Sequence, residues 1–270
     1  MSLLRTYLTS RLKLAKVFFM SAVFGLLTQC FFAFFRILII DAFMAMDSGA
    51  AAMQSNSMIT YIWLTQAFLL ISPWNTNRDD MDLIRTGNIV YELARPVDLH
   101  SLLFVKTWSQ RIVNTLIRAI PILALNLIVF PLVGLKYYSI TAGSGMSVLL
   151  FVVSLFLSFL LSSCITVTIY SVSLYTVNAS NFTGIFGTVA MLLSGSILPL
   201  ALFPDFLQPF FTYQPFKSIV DTPAMILSGS YTGGQSMFYM GLQIAWILIF
   251  FTVNHVLFSR AKQRIILQGG

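Results

Sequence analysis

The sequence predicts an all-α, polytopic membrane protein of six transmembrane helices, with an amphipathic interfacial helix at the N-terminus and a short helix in a cytosolic loop. Three observations carry that prediction. Only 9% of the 270 residues are charged, while 57% are hydrophobic; a soluble domain carries about 25% charged residues, so the bilayer is the expected solvent. Apolar runs near the ~20 residues that a helix needs to cross the hydrocarbon core recur along the chain. The basic residues sit at the ends of those runs, as the positive-inside rule requires.

Residues 1–16 interleave Leu3, Leu4, Tyr7, Leu8, Leu12 and Leu14 with Arg5, Arg11 and Lys13. That pattern suits an amphipathic helix lying in the membrane interface. The first span is 17–40; it runs past Cys30 without a cleavage site, so it reads as a retained helix rather than a signal peptide. Its one charge, Arg36, lies beside Phe31, Phe32, Phe34 and Phe35. It reads as an interfacial anchor, the alternative being a buried charge facing a pathway.

Further spans are expected at 58–73, 120–135, 147–170, 184–202 and 236–258, all in one transmembrane domain over 1–270. The helix entering the third is expected to begin near Asp98 and to kink at Pro121. Residues 75–101 form the charged cytosolic loop, and 204–235 a large external one. With the N-terminus inside, thirteen of the 16 Lys and Arg fall on the inner side, leaving Arg36, Lys136 and Lys217 outside. Both termini are therefore expected to be cytosolic. On the fourth span Ser154, Ser158, Ser162 and Thr166 repeat every four residues. Small hydroxyl residues on one face let helices approach closely; a substrate-facing stripe is the other reading.

Several functions are unsupported. The net charge of +7 comes with no basic stripe interleaved with aromatics, which argues against nucleic acid. No GxxxxGK[ST] or HExxH occurs. His100 and His255 stand in different segments and neither neighbours a cysteine, so no metal is expected. The spans carry no acidic pair or proton relay. No catalytic residue is expected, and energy for any transport would arrive from another subunit.

The loop invites that subunit. Asp79, Asp80 and Asp82 favour a helix start, Gly87-Asn88 breaks the helix, 89–93 restarts an apolar face, and Pro96 ends it. Asp98 or Ser101 can cap the next helix. Exposed apolar residues among both charge signs suit a docking element better than a merely soluble loop.

Here the chain resembles the type-2 ABC exporter permeases. In that family the loop after the second span holds a charged residue, a Gly, an aliphatic residue two later, a Leu, and a Pro nine after the Gly. This chain has Arg85, Gly87, Ile89, Leu93 and Pro96 in that register. The family also places a Gly and two prolines at the outer end of the fifth span and an Asn-Pro beyond, matched by Gly195, Pro199, Pro204 and Gln214-Pro215. Asn88, Glu92 and Gln214 stand where the family often has Thr, Leu and Asn, which suggests a divergent branch. The chain also looks like the branch in which two different permease chains serve one ATPase pair.

The resemblance implies a permease subunit in a bacterial cytoplasmic membrane, pairing with a second permease chain, the same or homologous. A separate ATP-binding subunit would hold ATP and Mg²⁺; this chain would hold no cofactor. Asp82, Arg85, Gly87, Ile89, Leu93 and Pro96 would couple to that ATPase, while Gly195, Pro199, Pro204 and Pro215 would shape an outer gate. An amphiphilic, drug-like or lipid-like substrate would move outward. A non-transporting membrane scaffold that recruits a soluble partner is the alternative.

Overall fold

The computed structural model describes residues 3–17, 19–46, 55–93, 97–175 and 179–268. Among these the protein is all-α, with no strand. Its helices are α1 (Leu3–Val17), α2 (Phe19–Met46), α3 (Ser55–Ala67), α4 (Arg78–Arg85), α5 (Val90–Leu93), α6 (Leu99–Ala124), α7 (Phe130–Leu132), α8 (Gly145–Ser173), α9 (Ala179–Leu193), α10 (Gln208–Tyr213), α11 (Asp221–Leu227) and α12 (Gly233–Gln268).

Among the described residues four stretches are long and apolar enough to cross a bilayer: Phe24–Ala42, Leu99–Leu132, Gly145–Ser173 and Gly233–Ala261. The shorter Gly184–Leu193 is apolar too. Helix α3 is prolonged by a 3-10 turn at Leu69–Ile71. It stops at Ser72, whose extended backbone (φ −61, ψ 132) is what the following Pro73 demands.

The helix carrying the expected 120–135 span begins at Leu99, because Asp98 caps it by accepting from Ser101 N at 3.3 Å. It runs through Pro121 without a break. A π turn follows at Leu125–Val129 and joins α6 to α7. Pro121 offers no N–H to the helix. Four residues on, the wide turn reorganises the ladder, and Asn126 Nδ2 donates to Ile122 O at 3.0 Å.

Helix α8 is the central post. It packs against α6, α11 and, most extensively, α12, while α1 lies along α6 and α2 along α3. The main core surrounds Trp63, which is 0% exposed, with Phe34 and Phe130 ring centroids each 5.5 Å from it. The outer surfaces of α2 and α12 remain apolar, with Phe31 at 67% and Leu248 at 62% exposure. Apolar side chains facing outward are the expected surface of a helix in lipid.

Candidate functional site

The loop between α3 and α6 forms the candidate site, and its local folding follows from its caps. Asn77 is the N-cap of α4, its side chain accepting from Asp79 N at 3.0 Å. Asp79 and Asp80 in the first turn complement the helix dipole, as does Arg85 in the last. Gly87, at φ +74, ends the helix in the left-handed region that only glycine enters without strain. Ile89 N then donates to Leu83 O at 3.0 Å, folding α5 back beside α4.

One face of this unit is buried. Ile84 and Ile89 pack in a cluster with Leu99 and Leu103 of α6, Val167 and Tyr170 of α8, and Phe258 of α12. Polar ties fix the approach to it. Tyr170 Oη accepts from Asn77 N at 2.8 Å, and Asn77 Nδ2 donates to Gln110 Oε1 at 3.0 Å.

Two cations of α6 complete the seat. Lys106 Nζ lies 3.5 Å from Asp80 Oδ1 on α4 and 3.6 Å from Glu92 Oε1 on α5. It also lies 5.9 Å from the Tyr7 ring centroid of α1, within cation–π range. Four helices therefore meet at one ammonium group. Burial pushes the Asp80 carboxyl above the usual carboxylate range, with Lys106 opposing that shift. One turn and a half further along α6, Arg111 clasps the chain leaving α3. Its Nη1 donates to Ile71 O at 2.7 Å, to Ser72 O and to Ser162 Oγ at 2.8 Å; its Nη2 donates to Thr166 Oγ1 at 2.7 Å. Thr166 Oγ1 donates in turn to Pro73 O at 2.8 Å.

The opposite face of the loop is open. Asp82, Arg85 and Gly87 are exposed together, joined by Arg78, Asp79, Thr86 and Asn88. Val90 at 48% and Tyr91 at 77% exposure add apolar surface. Ile89 belongs to the inner face at 3% exposure. Leu93 ends α5, and Pro96 lies outside the described residues.

The second motif, Gly195 to Pro215, lies elsewhere. Tyr61 Oη of α3 is 2.8 Å from both Gly195 O and Asp221 Oδ1. Gly195 is at φ +76, and a Cβ there would run into Tyr61 Oη and Asp221. Arg36 caps the same turn by donating to Thr65 Oγ1 at 3.2 Å, to Ser196 O at 3.0 Å and to Ile197 O. It therefore turns inward onto protein carbonyls instead of resting among its Phe neighbours as an interfacial anchor. Pro199 and Pro204 each precede a 3-10 turn. Gln214 donates to Leu193 O at 2.7 Å and accepts from Phe216 N at 2.7 Å, so it closes the end of α9 just before Pro215.

The hydroxyl stripe of α8 is internal. Ser154 donates to Gln243 Oε1 at 3.1 Å and Ser158 to Ser218 O at 3.0 Å, while Ser162 donates to Ile71 O. All four stripe residues are 0% exposed, so the stripe is packing surface. Among the described residues no group of three His, Cys, Asp or Glu could hold a metal ion.

Sequence reasoning missed Lys106, Arg111, Tyr61 and Asp221 as organising residues. A signal existed for Arg111. Once Asp98 starts the helix, Arg111 falls thirteen residues inside it, too deep for a flanking charge.

The profile of the ABC-2 family transporter proteins matches residues 52–269, from α3 to the end of α12. The chain belongs to the ABC-2 transporter family. No curated protein matches it significantly. An ABC-2 chain is an integral membrane permease subunit of an ABC transporter, and the family implies an ATP-binding partner. The permeases of this family normally lack ATPase motifs.

Proposed function

We propose that this ABC-2 permease exports an amphiphilic molecule, and that the open face of α4 and α5 is the seat of its ATP-binding subunit. The observation that carries this reading is the two-sidedness of the loop. Its inner face is locked to α6 and α8 by Ile84, Ile89, Lys106 and Tyr170. Its outer face presents Asp82, Arg85, Gly87, Val90 and Tyr91. A load applied outside is thereby delivered to the spans. Leu93 and Pro96 would complete the coupling segment, and ATP with Mg²⁺ would stay on the partner. The loop, and with it both termini, would face the cytosol of a bacterial inner membrane.

A second permease chain, identical or homologous, would pair with this one. The Gly195, Pro199, Pro204 and Pro215 segment would form the outer gate, held by Arg36 and Tyr61. The exposed Phe31, Phe32 and Phe35 of α2 suit the apolar part of such a substrate.

The test is ATP hydrolysis by the partner subunit in proteoliposomes containing wild-type permease or Arg85→Glu. Reversing an exposed charge leaves the buried face of the loop untouched, so insertion should be unchanged. Coupling of hydrolysis to the permease should fall by about tenfold or more, the equivalent of ~1.4 kcal/mol of docking energy. Full coupling in Arg85→Glu proteoliposomes would remove the loop from the reading.

A further inference from the structure

Where the loop leaves α3, it arches over a cavity of about 180 Å³. Leu70, Asn77, Gln110, Arg111, Asn114 and Tyr170 are among its walls. The volume is well below the ~300 Å³ at which drug-sized pockets begin. It would hold several waters at ~30 Å³ each, or one small polyatomic ion. Its rim is rich in amide donors, and Arg111 supplies a full positive charge.

Among the described residues nothing neutralises that charge. Arg111 is 4% exposed, yet the acceptors its Nη atoms reach are two backbone carbonyls and two hydroxyls, all neutral. No carboxylate lies within ion-pair distance of it among the described residues. Its Nε is buried and has no hydrogen-bond partner. A buried guanidinium without an anion carries a desolvation penalty that neutral acceptors offset only in part. Asn114, at the exposed end of the same wall, leaves the cavity open to a ligand.

Position narrows the class of anion. The cavity sits where the α3 segment and α8 end, against residues 107–114 in the interior of α6. Exposed Arg78 follows the wall residue Asn77 at the start of α4. Basic side chains beside a transmembrane bundle attract anionic headgroups. Arginine beside amide donors matches tetrahedral phosphate oxygens, which accept several hydrogen bonds at once.

We infer that this cavity is a phosphate-binding site, filled either by the headgroup of an anionic phospholipid or by a free phosphate ester. Bound phosphate would sit between the guanidinium and the amides of Asn77, Gln110 and Asn114.

The experiment uses the full-length permease in neutral detergent and reads thermal unfolding during titration at constant ionic strength. The arms are inorganic phosphate, glycerol phosphate, short-chain phosphatidylglycerol, short-chain phosphatidylcholine and chloride. The expected result is a saturable rise in Tm with phosphate-bearing anions and none with chloride. Saturation at lower concentration by phosphatidylglycerol than by glycerol phosphate assigns the site to lipid; equal potency assigns it to the free ester. Asn114→Trp closes the mouth without touching the Arg111 ties, and Gln110→Leu removes a wall amide; each should weaken apparent affinity by about tenfold. Two variants guard against one that misfolds, and size-exclusion elution of each reports its folding. No rise with any phosphate compound overturns the inference. So does a rise that both folded variants retain in full. Hydrolysis and transport are not read, so either result leaves the docking role of α4 untouched.

Discussion

Replacing Lys106 by Met should both destabilise the permease and loosen its loop. The ammonium stands between Asp80 and Glu92, with side-chain exposures of 11% for Lys106, 5% for Asp80 and 11% for Glu92. Removing one partner of a buried ion pair leaves an uncompensated charge and costs about 3–5 kcal/mol. The residual exposure places this cluster near the lower end, about 3 kcal/mol. At roughly 2–4 °C per kcal/mol for a chain of this order of size, Tm should fall by about 6–12 °C.

The deficit should depend on pH. Burial already raises the Asp80 carboxyl, and Lys106 opposes the rise. Without Lys106 the folded protein favours the protonated acid more strongly than the unfolded chain does. A carboxyl raised on folding contributes stability that is present at low pH and lost as pH rises through its folded value. The deficit of Lys106→Met should therefore shrink as the pH is lowered from about 7.5 towards 5. Adding Asp80→Asn and Glu92→Gln should restore most of the Tm, because a neutral cluster has no unpaired charge to bury. ATPase coupling should stay impaired in that triple variant, since the electrostatic bond between loop and α6 is gone. A single variant within about 0.5 kcal/mol of wild type would refute the reasoning. A triple variant no more stable than the single would do the same.

Two further substitutions separate strain from collision. At Gly87 a Cβ would meet no atom within 4 Å, so only φ +74 opposes substitution. Gly87→Ala should cost about 1 kcal/mol in thermal unfolding, and Gly87→Asn distinctly less, since Asn tolerates the left-handed region; equal costs would remove backbone strain as the cause. Gly195→Ala meets both positive φ and the Tyr61–Asp221 pair, so its loss should be larger than that of Gly87→Ala, and a smaller loss would show that the pair can move aside.

The helical class and the surroundings of the loop were legible because they depend on local chemistry. Asp98 before an apolar run marks the start of α6. Gly87 between two short apolar faces marks the turn after α4, and the four-residue spacing of Ser154 to Thr166 marks a packed face. The ties across the fold were not legible in the same way. Arg111 meets Ile71 and Ser162 from 40 and 51 residues away, and Tyr61 meets Asp221 across 160. Charge counting sorts Arg111 with the flanking basic residues and Asp221 with a loop border, because hydropathy registers the side of a membrane and not the neighbour across it. Arg36 could be read either way until the carbonyls of Ser196 and Ile197 were placed beside it.

The clasp at Arg111 also decides where the loop has slack. The connection at Ile71 to Pro73 is held by a guanidinium and two hydroxyls from two long helices. Parting α3 from α6 and α8 at this joint would break several buried hydrogen bonds at once. A push on α4 cannot be absorbed there, as it could in a floppy tether. The softer point is the single left-handed residue, Gly87, with open space around it. In the proposed docking role the segment would act as a stiff arm with one elbow near its tip.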